Sequence, residues 1–452
     1  MKRFLALICA FASSMFLFSL EKTDLDIRRD ILAYGLENEI VELIDALIKE
    51  DESGLQNELQ ALFDSTRSSA VKESLLKYYG EKNDPYPKEW ALSIIADPWD
   101  HKKTTVLSIF SYIEKMKAQE AASSVRAILK SENTDYRDSA ISLLGSIGTE
   151  EDADFLFDFL EDEFSVDEKT RLVIRQNVMT ALGKLKAEKY RVRFEEVAGN
   201  EDENAVIRST AAVALGEIGN PESIPILESL FLDKDPLLRS ASVKALSGYS
   251  SEASTAIILE GFKDPYYKVR LDAIASAEKL KLNESVPYLL YRSKSDPVES
   301  VRYRSYEALG LIGDQEGYSW LAEQFANKKN AEGLRLKAAS VLAEHHKTSF
   351  SPLLLKELIS VLEDEKKIKY RYELLKLMIA KRTELDSSVC ISLLTSKDPT
   401  TKSFGIDLFE LYKFTEAKSE IEKIAADEKQ GALHRRAKRI IESDKTTTAS
   451  GE

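Results

Sequence analysis

The stretch VIRSTAAVALGEIG, residues 206–219, decides the fold. It opens on an aliphatic–Arg pair. A small residue follows the Arg by three positions, a small or apolar pair by six and seven, and a Gly by eight. The pattern recurs in YRDSAISLLGSIG from Tyr136, VIRQNVMTALGKL from Val173 and SVRYRSYEALGLIG from Ser300. Looser copies are LLRSASVKAL from Leu237, KVRLDAIASAEKL from Lys268, GLRLKAASVLAEH from Gly333 and KYRYELLKLMIA from Lys369. The arginines stand at 137, 175, 208, 239, 270, 302, 335 and 371, with separations of 38, 33, 31, 31, 32, 33 and 36. A period in the low thirties is too long for heptads. It fits a unit of two short helices that stacks only on its neighbours.

Between the copies lie segments of a second type, such as SIPILESLFL after Glu222, SVPYLLYRS after Glu284 and SPLLLKELISVLED after Phe350. Leu and Ile recur there at i, i+3, i+4 and i+7, which marks one buried helical face. Asp-Pro pairs at 97–98, 235–236, 264–265, 296–297 and 398–399 are predicted to open helices. Asp suits an N-cap, and Pro suits the first helical position. Gly216, Gly219, Gly310 and Gly313 are predicted to end helices in left-handed conformations. Ala211, Ala214, Ala273, Ala308 and Ala338 let neighbouring helices approach closely.

These residues resemble the HEAT-repeat family, most closely its short bacterial variety related to the phycobilin-lyase type. The family core, Asp-x-aliphatic-Arg-x-x-Ala-x-x-Ala-Leu-Gly, is nearly verbatim at Val206–Gly219 and Val301–Gly313. Good copies run from 134 to 345 and degenerate ones from 67 to 443, including SAVKESLLKYYG from Ser69 and ALHRRAKRIIES from Ala432. The resemblance implies an all-α, armadillo-type α-solenoid. It also implies that the repeated Arg pairs with an acid of an adjacent turn; Glu203, Asp235, Asp264 and Glu299 lie just upstream of four of them. The motif specifies a fold and is nearly silent on activity.

The domain reading follows: a signal peptide at 1–20, an N-terminal helical cap at 21–66, the solenoid at 67–443 and a disordered tail at 444–452. Lys2 and Arg3 precede an uncharged, mostly apolar run from Phe4 to Phe18, long enough for an export signal and short for a membrane span. The boundary Leu17-Phe18-Ser19-Leu20 lacks a small residue at −3 for cutting after Ser19, so an uncleaved anchor stays open. Cys9 lies in the apolar run, which leaves Cys390 without an intramolecular disulfide partner. In a bacterium the expected location is the periplasm or envelope.

A net charge of −14 repels a phosphate backbone, so nucleic acid is not the expected partner. The histidines, 101, 345, 346 and 434, show no HExxH or paired Cys/His spacing. Gly248-Tyr249-Ser250 and Gly317-Tyr318-Ser319 lack the closing Gly of a nucleophile elbow, and no Gly-rich phosphate loop appears. No catalytic, cofactor or metal residue is therefore expected, and no small-molecule substrate is evident. Ten acids crowd Glu150 to Glu168 with no Lys or Arg between the ends, which reads as a solvated helix face.

Tyrosines cluster in the C-terminal half, several beside the repeated Arg. Tyr303, Arg304, Tyr306, Tyr370 and Tyr372 are the candidate partner-binding residues, because Tyr and Arg are favoured at binding hot spots. The expected function is a non-catalytic exported scaffold that offers a curved repeat surface to a protein or peptide partner. A self-associating envelope component is the alternative; a chromophore-lyase-like enzyme is a third.

Overall fold

The computed structural model describes residues 24–50, 54–161 and 166–449. Among these residues are 26 α-helices, seven short 3-10 turns and no strand. None of the helices is long and apolar enough to cross a membrane. The proposed signal segment, residues 1–20, lies outside the described residues.

The chain forms two compact units, one ending at Ser223 and the other starting at Ile224. In the first, the motif helices Ser69–Glu81, Lys103–Met116, Arg137–Ile147, Glu168–Lys184 and Ala205–Ile218 pack in succession. In the second the succession is Pro236–Leu246, Tyr267–Leu280, Glu299–Ile312, Glu332–His345, Ile368–Lys381, Pro399–Tyr412 and Ala432–Ala449. Helices of the second type lie between them in sequence, and each packs on a motif helix. This two-helix stacking is the all-α solenoid that the period predicts.

The register explains the core. The residue before the motif Arg is buried in seven of the eight copies: Tyr136, Ile174, Ile207, Leu238, Val269, Val301 and Tyr370, with Leu334 half-buried. So is the residue four after it: Ile141, Met179, Ala212, Val243, Ile274 and Ala339. Those offsets lie on one side of a 3.6-residue helix. The described part of the stretch 21–66, residues 24–50 and 54–66, is also organised in this way. Its helix Glu37–Lys49 buries Ile40, Ile44 and Leu47 and packs on Ser69–Glu81 as the next motif helix would.

Glycines have two jobs where one was expected. Gly219 (φ 76) and Gly313 (φ 79) cap their helices in the left-handed region. Gly216 and Gly310 instead lie inside those helices. A Cβ on Gly145 would sit 2.6 Å from the Ala181 Cα, and one on Gly183 would sit 2.8 Å from the Ala214 Cα. The motif Gly is thus a close-approach residue. Elsewhere Lys117, Lys186, Lys281, Arg382 and Lys413 take the left-handed position at helix ends.

Two of the five Asp-Pro pairs behave as predicted. Asp235 caps Pro236–Leu246 and Asp398 caps Pro399–Tyr412. Asp264 and Asp296 come two residues before the N-cap, where they accept from Tyr266 N and Val298 N and hold the preceding turn. Asp97 follows Lys88–Ala96 and opens no helix. The helix Ala432–Ala449 carries regular backbone through 444–449, where a disordered tail was expected; 450–452 lie outside the described residues.

Candidate binding surface

The motif arginines set the spacing of the repeats. Arg239 donates from Nε and Nη2 to Asp264 at 2.7 and 3.1 Å, and Arg270 to Asp296 at 2.8 and 2.8 Å. Arg175 holds Glu203 through both Nη atoms, and Arg335 reaches Glu357 at 2.6 Å. The inner Nη1 of Arg239 and Arg270 donates to carbonyls ending the preceding turn, those of Asp233 and Lys234 and of Asp264 and Pro265. The expected inter-repeat pairing exists, but its direction is corrected. Glu203 and Asp264 serve the Arg of the preceding repeat rather than the one that follows them. Asp235 is occupied in capping, and Glu299 hydrogen-bonds Tyr303 and holds its phenol above the usual range.

The five candidate residues divide sharply. Tyr303 is 39% exposed. Arg304 is 40% exposed at its side chain and pairs with Glu278 of the preceding motif helix and Glu307 of its own. Tyr372 is half-buried and donates to Asp398 at 2.7 Å. Tyr306 and Tyr370 are each 2% exposed and cannot meet a partner. Tyr306 packs edge-on against Trp320, and the Tyr370 ring lies 5.0 Å from the Arg335 guanidinium. Burial raises both phenols. The surviving residues are not gathered into one cluster, because Glu332–His345 lies between their helices in the row.

Sequence reasoning missed a row of bridges that joins successive motif helices. In the first unit Lys77 pairs with Asp45 and Lys115 with Glu81. These pairs flank a groove of about 350 Å³, which Ser74 and Tyr112 also line. In the second unit the row runs Glu278–Arg304, Glu307–Lys337, Glu344–Lys381 and Asp407–Arg436. Opposite charges about one repeat apart were the available signal.

The acidic run is partly consumed by structure. Asp152 is buried, pairs with Arg126 at 2.6 Å and accepts from Thr149 N. Asp154 accepts from the Tyr190 hydroxyl and from Lys189, and those bonds lower its pKa. Asp167 caps Glu168–Lys184. Glu150, Glu151 and Asp158 remain exposed. Cys390 is a core residue whose thiol burial pushes up to about 12.

The family model described as spirochaete HEAT repeat protein matches residues 32–440. The chain belongs to this family. The match of this HEAT protein begins inside the stretch read as a cap, in agreement with the repeat-like packing of Glu37–Lys49. A deoxyhypusine hydroxylase of Candida albicans is 26% identical over 290 residues, 61% of this chain and 86% of that one. Among solved structures, the Escherichia coli protein YibA has a TM-score of 0.35 at 18% identity, covering 62% of this chain and 98% of that one. Kap121p has a TM-score of 0.37 at 12% identity, covering 92% of this chain and 53% of that one.

Proposed function

We propose that this HEAT protein is an exported, non-catalytic scaffold that holds a protein or peptide partner on its motif helices. The observation that carries the reading is the row of mixed-sign bridges on successive motif helices of the second unit, with Tyr303 exposed beside it. Such a row presents charge of both signs over several repeats, which suits an extended polypeptide with its own alternating charges. The basic and apolar start of the sequence supports export to the periplasm or envelope.

The Candida relative brings in a hydroxylase reading. The described residues contain no group of three His, Cys, Asp or Glu side chains placed to hold a metal ion. Assay of the purified chain on a deoxyhypusine-containing protein tests this second reading.

Affinity capture of the tagged protein from envelope extract of its native host tests the scaffold. A partner retained by the native chain and lost from a Tyr303→Ala/Arg304→Ala/Tyr372→Ala variant supports the reading. A partner retained by both removes this face. Concentration-dependent self-association with no partner favours the structural component.

A further inference from the structure

Arg371 is closed by its carboxylate less tightly than Arg239 and Arg270 are. Arg371 is 3% exposed, with Nη1 donating to the carbonyls of Val361 and Leu362. Its Nη2 stands 3.8 Å from Asp398, beyond hydrogen-bond reach, and its Nε is buried without an acceptor. At Arg239 and Arg270 that same Nε–Nη2 edge is filled by Asp264 and Asp296. Asp398 is held aside. Its Oδ2 accepts from the Tyr372 hydroxyl at 2.7 Å, from Thr401 N at 2.8 Å and from Thr401 Oγ1 at 2.5 Å.

Arg371 lines a groove of about 580 Å³, shared with Ile359, Glu363, Glu365, Ser396 and Lys397. The edge calls for a planar carboxylate, which it binds with two parallel bonds. The groove also carries Glu363, Glu365 and Asp398 against Lys397, so a purely anionic ligand would meet an excess of negative charge. A cationic group beyond the carboxylate answers Glu363 and Glu365, which are exposed and enter no ion pair among the described residues. Ile359, 54% exposed, offers an apolar wall for the chain between the two groups.

We propose that this groove binds a basic α-amino acid, its carboxylate on Arg371 and its side-chain cation at Glu363 and Glu365. The same two groups occur at the end of a peptide that terminates in Lys or Arg. The site does not rest on the scaffold reading above: Tyr303 and Arg304 lie outside it, and Tyr372, common to both, acts here only through its bond to Asp398.

The test is titration calorimetry of the full chain with four probes: L-lysine, L-lysinamide, glutarate and acetyl-Gly-Gly-Lys with a free C-terminus. Saturable one-site binding of L-lysine or of the peptide, at least tenfold tighter than lysinamide and glutarate, is expected. The tighter of the two names the source. Lysinamide binding as well as L-lysine, or no saturable heat from L-lysine and the peptide, overturns the proposal. Arg371→Lys should weaken binding at least tenfold. Because that variant can misfold, Tyr372→Phe/Thr401→Val is the second, since it removes two of the three bonds that hold Asp398 away from the edge. It should weaken binding tenfold while the unfolding temperature holds or rises; unchanged affinity overturns the proposal.

Discussion

Gly183 and Glu278 occupy the same place in their repeats, eight residues after the motif Arg. At Gly183 the absence of a side chain lets the backbone approach Ala214 of the next motif helix. At Glu278 a carboxylate is buried in that position, 6% exposed, with Arg304 on one oxygen and no partner on the other. Burial raises its pKa to about 7, against the opposing pull of Arg304. One junction is closed by contact and the other by a strained charge. The repeat therefore tolerates two means of joining neighbours, one insensitive to pH and one dependent on it.

The comparison can be broken first at the contact junction. Gly183→Val should destabilise the chain by about 3 kcal/mol, because its Cβ meets backbone that cannot move aside cheaply. A denaturant midpoint shift checks this, and a midpoint equal to that of the native chain would remove the close-approach reading. The second effect carries the opposite sign. An acid whose pKa is raised stabilises fully below its ordinary value, and that contribution is lost as pH rises through about 7. Glu278→Gln should therefore raise stability at pH 8, by up to about 3 kcal/mol, and change little at pH 4. Thermal unfolding of both proteins at the two pH values measures it.

A smaller effect is expected at the partner. Arg304→Ala removes the charge that favours ionised Glu278, so it should cost about 1 kcal/mol at pH 8 and less at pH 5. Equal losses at both pH values would uncouple the pair. Smallest is Lys337→Ala, which ends the bridge to Glu307 at a half-exposed site and should cost no more than about 0.5 kcal/mol. Comparison of its midpoint with that of Arg304→Ala grades the row from buried to exposed.

The period and helix types were legible because the motif repeats the same apolar offsets at a constant spacing. The site was less so. Tyr306 stands four after its Arg, where other repeats place Ile141, Val243 and Ile274, and Tyr370 stands just before its Arg, where others place Ile207 and Val269. Alignment by register would have assigned both tyrosines to the core. Composition alone sees only that tyrosines are frequent. The loosened pair at Arg371 was not legible, since Asp398 has the same sequence setting as Asp235, Asp264 and Asp296. Asp398 caps its helix, as Asp235 does, and accepts from Tyr372 and Thr401, whereas Asp264 and Asp296 precede the N-cap and close on their Arg.

The left-handed helix ends have a consequence for proteolysis. Lys117, Lys186, Lys281, Arg382 and Lys413 are exposed at the end of motif helices, and none is followed by Pro. A protease specific for basic residues meets its cleavage points at the seams between repeats, where local opening is cheapest. Brief digestion should release fragments cut at repeat boundaries, so that the chain carries its own ruler.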